Sequence, residues 1–217
     1  MQGFLNYIHG NIQNWIQYGI VYVPVLLVVI TIHEYFHAWT AWKLGDTTPV
    51  ETGRLSLNPL RHLDPLGTIA LLLFHVGWAR PVMIDFAAFK HPRRDTVLVS
   101  LAGPASNFAT AVVAYLLLLL VRSSPAIVTR LPYVYEVLEA LVVVSLGLGL
   151  FNLLPIPPLD GSKAFFALFF KRPERFLYDR AVDLYGTVIL LALLWFNVIT
   201  VVMSKVLNFI LYTLLRL

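Results

Sequence analysis

The chain has 217 residues, 59% hydrophobic and 13% charged, against roughly a quarter charged in a soluble domain; this is an integral membrane protein. Cysteine is absent, which excludes a disulfide framework and thiolate metal sites, so any metal must be held by His, Asp or Glu. The net charge of +4 includes no basic run of the kind that binds nucleic acid, and in a membrane protein its distribution matters more than its sum.

The first ten residues contain no Lys or Arg, so the N-terminus does not read as a signal peptide and the first segment is expected to be retained. The pattern leaves the conformation of residues 1–15 open. A first membrane helix is expected over 16–44. It carries the charge-free stretch Ile20–Ile32 and then His33-Glu34-Tyr35-Phe36-His37. On a helix, positions i and i+4 share a face, so both imidazoles can reach one metal ion, and Glu34 can take a proton from the water such a metal activates. Ionisable groups inside a membrane helix are costly and mark function. The alternative, two histidines bonded to neighbouring carbonyls, is the bland reading. Trp39, Trp42 and Lys43 look like an interfacial anchor, which places the histidines within about two or three turns of one membrane face.

Residues 50–92 break the membrane pattern with repeated Pro and Gly. Alternation at 53–57 and 80–85 suggests short strands, and the apolar piece 65–74 is too short to span. A re-entrant β-hairpin or loop is therefore expected here. A second helix is expected over 96–121, opening with Ala102-Gly103-Pro104-Ala105-Ser106-Asn107. Its small residues permit close packing, and Asn107 reads equally well as interhelical glue or a site residue. The third helix, 133–154, runs into Asn152-Leu-Leu-Pro-Ile-Pro-Pro-Leu-Asp160-Gly161. The prolines unwind it at membrane depth, which needs protein or a cavity to take up the freed backbone groups. Asp160 before Gly is ordinarily a turn residue, but in this setting it is a candidate ligand. A fourth helix is expected over 182–203, with Asn197 packed against a neighbour. The tail, 205–217, extends that helix or lies along the interface.

Lys43–Arg94 carries seven Lys/Arg and Lys163–Arg180 five, against four elsewhere. Four spans with both termini outside fit that bias, and the His pair and Asp160 then share the cytoplasmic face. A catalytic zinc needs three protein ligands. Besides Asp160, the candidates for the third are His62, His75, His91, Asp46, Asp64 and Asp85, which read first as loop residues.

H-E-x-x-H in the first helix, A-G-P-x-x-N opening the next and N-x-x-P-x-P-x-L-D-G closing the third resemble the site-2 protease family of intramembrane zinc metalloproteases, over about residues 20–175. The resemblance implies an all-α polytopic membrane protein with a re-entrant hairpin after the first core helix, in one membrane-embedded metalloprotease domain. It implies one Zn²⁺ on His33, His37 and Asp160, Glu34 as catalytic base, and Asn107 and Asn152 near the substrate backbone or oxyanion. The partners it implies are transmembrane protein substrates within the lipid bilayer of a bacterial or archaeal cell. Many members add PDZ or CBS domains, for which this chain has no room. The resemblance names no individual substrate and no oligomeric state. The rival reading is a metal-binding transporter or non-catalytic membrane protein using the His pair as an ion site; internal repeats, expected of a transporter, are not apparent between the halves. A membrane-anchored zincin acting beyond the bilayer would draw its third ligand from a Glu-rich soluble helix, and none is present.

Overall fold

The computed structural model describes residues 2–67, 80–124 and 129–215, the side chains of 2–18, 132 and 214 excepted. Its helices are α1 (Gln2–Lys43), α2 (Thr48–Glu51), α3 (Pro92–Arg122), α4 (Pro132–Asn152), α5 (Asp160–Phe169), α6 (Glu174–Leu177), α7 (Arg180–Trp195) and α8 (Val198–Asn208), the last continuing into wider turns at Phe209–Leu215. Among the described residues, three helical stretches, Gly19–Lys43, Pro92–Arg122 and Tyr133–Asn152, are long and apolar enough to cross a membrane, and α7 with α8 makes a fourth if the bent pair is one span. The architecture is that of an all-α polytopic membrane protein.

The core is built from stripes of i+4 spacing. On α1, Val21, Val25, Val29, His33, His37 and Ala41 are all buried, so one face carries apolar packing at one end and imidazoles at the other. Val21, Val25 and Val29 pack on Ala140, Leu141, Val144 and Leu148 of α4. On α3, Val99, Gly103 and Asn107 continue into Ala111, Ala114 and Leu118, again all buried. Ala111 and Ala114 meet Val142 and Leu146 of α4. The opposite face of α3 exposes Val112, Val113, Leu116 and Leu120, as a lipid-facing surface does.

Three expectations are corrected. The first helix begins at Gln2 rather than near residue 16; no proline precedes Pro24 to stop it. Residues 53–57 and 80–85 are not strands, because their backbone donors are committed elsewhere. The amides of Arg54 and Leu55 donate to Pro49 O at 2.7 and 3.2 Å. Those of Val82 and Asp85 donate to the side chains of Glu34 and Asp46 at 3.1 and 2.9 Å, and Pro81 has none to give. Arg80 N–H does reach His62 O at 2.8 Å, a bond to the loop beyond the first segment rather than a rung between the two. Pro65–Gly67 form a helical turn; most of the expected re-entrant element falls within 68–79, outside the described residues.

The third correction concerns the fourth helix, which breaks at Asn197 with a bend of 70° between α7 and α8. Asn197 is exposed rather than packed, and it takes the left-handed conformation at φ 58°, which asparagine tolerates better than most residues. The proline-broken end of the third helix is as expected: α4 stops at Asn152, and Leu153–Leu159 are non-helical before α5 starts at Asp160. Gly161 makes that return possible, since a Cβ there would lie 2.2 Å from Leu153 O. The far end of α5 is held by Arg93 of α3, whose guanidinium donates to Ala167 O at 3.1 Å and Leu168 O at 3.0 Å. Both ends of the helix that begins with Asp160 are thereby fixed.

Candidate metal centre

His33 and His37 arrive on the buried stripe of α1, and Asp160 arrives at the first turn of α5. His33 Nε2 lies 3.1 Å from Asp160 Oδ2, His37 Nε2 lies 3.0 Å from the same oxygen, and the two Nε2 atoms are 3.1 Å apart. Metal bonds of 2.0–2.1 Å in a tetrahedral site separate ligand atoms by about 3.3 Å. The triangle therefore fits one ion, with three protein donors and one position open. All three residues are buried. Gly103 closes the other side: a Cβ there would fall 2.3 Å from His37 Nε2 and 2.6 Å from His33 Nε2. The small residue at this point of α3 thus keeps clear the space that the nitrogens face.

Each ligand has a second partner that orients it. His37 Nδ1–H donates to Val99 O at 2.7 Å, which leaves Nε2 as the lone-pair nitrogen. His33 Nδ1 meets the side-chain amide of Asn107 at 2.9 Å. Asn107 is fully buried, and its Oδ1 has no partner when the amide nitrogen faces the ring. The two ends of an amide have the same shape. Turning Oδ1 to the ring lets it accept Nδ1–H, and only that orientation frees His33 Nε2 for a metal. Asp160 is held at its outer oxygen, Oδ1, by Lys163 Nζ at 3.2 Å.

Glu34 is half-buried, and its Oε2 accepts Val82 N–H at 3.1 Å. The segment that supplies this amide is tied back to α1 by Asp46, which accepts from Thr48 N–H and Asp85 N–H, both at 2.9 Å. Asn152 sits apart from Asn107 in chemistry: it is half-buried and donates to Leu148 O on its own helix at 3.1 Å.

Of the other ligand candidates, Asp46, His62, Asp64 and Asp85 have structural partners. His62 is buried and donates from Nε2 to Ser56 O, Asp64 accepts from Gly67 N–H, and Asp85 caps the turn at Phe86–Ala88 through Ala87 N–H. His91 precedes α3, and His75 lies outside the described residues. Among the described residues, His33, His37 and Asp160 are the group that could hold a metal. Sequence reasoning missed Val99 O, Val82 N–H and Lys163, and offered Asp46 as a metal ligand where it accepts backbone N–H groups. The first two are backbone atoms without a residue signature. Lys163 stands one helical turn after Asp160, a spacing that could have flagged it.

Residues 126–196 match the model of peptidase family M50. Over that segment the chain is similar to peptidase family M50. Among curated proteins, it is 45% identical over 146 residues to the "Putative zinc metalloprotease YwhC" of Bacillus subtilis, covering 65% of each chain. It is 34% identical over 175 residues to the "Putative zinc metalloprotease Rip2" of Mycobacterium tuberculosis, covering 75% of this chain and 63% of that one. The Rip2 of Mycolicibacterium smegmatis is 36% identical over 156 residues, with 66% and 58% covered. The chain thus spans 58–65% of the length of these curated relatives. No solved structure matches it.

Proposed function

We propose that this chain is a zinc-dependent metalloprotease that hydrolyses peptide bonds in or near transmembrane segments of membrane-protein substrates. The observation that carries the reading is the convergence of His33, His37 and Asp160 on one point within membrane-length helices, with Glu34 beside the first ligand. Two nitrogens and one carboxylate oxygen with a fourth position open suit catalytic zinc. The names of the YwhC and Rip2 relatives support the activity class.

Zinc bound there supplies Lewis acidity and brings the pKa of water toward neutrality. Glu34 takes the proton of the attacking water and returns it to the leaving amine; the amide of Val82 fixes its orientation. Asn107 acts through His33, while Asn152, at the unwound end of α4, is the asparagine available to substrate backbone. A helical substrate must unwind before attack, since all its peptide groups are internally bonded. The bias of Lys and Arg toward Lys43–Arg94 and Lys163–Arg180 supports a site toward the cytoplasmic face of a cell membrane, with the termini opposite.

The test is zinc content of the protein purified in detergent, wild type beside Asp160→Ala, followed by cleavage of a single-span membrane protein in proteoliposomes. Stoichiometric zinc in the wild type, its loss in the variant and zinc-dependent cleavage support the proposal. Zinc without cleavage, together with zinc flux into sealed vesicles, favours the transporter reading. No zinc in either form after metal loading removes the metal centre.

A further inference from the structure

We infer that Lys163 is a positioning residue that restricts Asp160 to ligation through one oxygen and so keeps the fourth coordination position open. This rests on the metal-centre reading above. A carboxylate can bind a metal with one oxygen or with both. If Asp160 used both, its second oxygen would take the position that water and the substrate carbonyl need. The two oxygens have different partners. Oδ2 stands 3.0–3.1 Å from both imidazole nitrogens, and Oδ1 stands 3.2 Å from Lys163 Nζ.

Geometry makes the Lys163 contact a defined one. Asp160 and Lys163 lie one turn apart on α5, which is held at its far end by Arg93. The Lys163 side chain is about one-third exposed while that of Asp160 is 11% exposed, so the pair is largely withdrawn from water and weakly screened. The acids that face Lys163 are Asp160, Glu34 and Asp183. A neutral donor would hold Oδ1 less firmly than this charge-assisted bond.

The experiment is cobalt substitution of the full chain in detergent, for wild type, K163M and K163R. Cobalt(II) absorbs far more strongly in the visible when four-coordinate than when five-coordinate, so the spectrum counts ligands without any turnover. The expected result is a four-coordinate spectrum for wild type, loss of that intensity in K163M, and its recovery in K163R. Hydrolytic activity in K163M is expected to fall 10–100-fold, as outer-shell changes at metal sites do, with cobalt still bound. A K163M protein with the wild-type spectrum and wild-type activity overturns the inference. If K163M does not fold, judged by its thermal transition, K163Q takes its place with the same two outcomes. A wild-type protein that binds no cobalt defeats the metal-centre reading itself, so the two failures are distinct.

Discussion

The two halves of the helical assembly differ in how much of their geometry is over-determined. Around the metal centre, α1, α3 and α5 each present a site residue on a buried stripe, and each of the three ligands is gripped by a further partner: Val99 O, Asn107 and Lys163. The α7–α8 pair is the opposite. It exposes Leu184, Val188, Leu191, Trp195 and Phe196, and its bend turns on one exposed left-handed asparagine. The first region has few permissible substitutions because several groups must fit at once. The second packs on the proline loop through Gly186, Leu190 and Ile199, and its remaining face is lipid-facing, where packing asks for little beyond apolar character.

That contrast is broken or sharpened by a short series of substitutions, taken from the largest expected effect down. Gly103→Ala puts a methyl group into the space that both Nε2 atoms face. It should abolish zinc binding, measured as metal content after loading, and activity with it. Gly147→Ala, where a Cβ meets nothing within 4 Å, should leave zinc content unchanged. If both variants keep their zinc, the tight approach of α3 to the histidines is not as described.

Glu34→Gln should retain zinc and lose about 10²–10⁴-fold in turnover, the usual worth of a general base. Because the amide can still accept the Val82 N–H bond, the loss should appear without a change in thermal stability. Normal turnover by this variant would remove Glu34 from the mechanism.

Asn107→Ala and Asn152→Ala separate two asparagines that the sequence motifs treat alike. Asn107→Ala leaves His33 Nδ1 without its partner and should weaken zinc binding 10–100-fold, read by competition with a chelator. Asn152→Ala should leave zinc affinity alone and act on substrate, seen as a change in cleavage rate at constant metal content. Equal effects of both on zinc affinity would contradict this division. The smallest effect belongs to the lipid-facing side. Asn197→Ala should cost about 1 kcal/mol for the left-handed backbone, while Asn197→Gly should cost none, measured as thermal stability in detergent. A shift in zinc content from either would show that the two regions are coupled after all.

Much of this organisation was legible in the chain. The i+4 histidines, the apolar lengths of the spans and the prolines after Asn152 are local patterns, and helix geometry translates them directly into a shared face, a membrane crossing and an unwound end. The strand pieces at 53–57 and 80–85 and the unbroken fourth helix misled for a common reason. Alternation at 53–57 and 80–85 and apolarity at 182–203 state what a segment could form alone, whereas its backbone donors went to Pro49, Glu34 and Asp46, and one residue at φ 58° redirected the helix.

Composition and spacing alone therefore indicated the class of the protein and the helix that carries two imidazoles on one face, and left Asp160 one candidate among several to join them. Those features depend on residues close together in the sequence. Only the tertiary structure decided that Asp160 rather than His62 or Asp46 completes the group, that Gly103 lines it, and that Asn107 and Lys163 hold its ligands. Each of those facts joins residues of different helices, or distinguishes one oxygen of a carboxylate from the other. No periodicity encodes such relations; they come from the approach of α1, α3 and α5 to within hydrogen-bonding distance of one another.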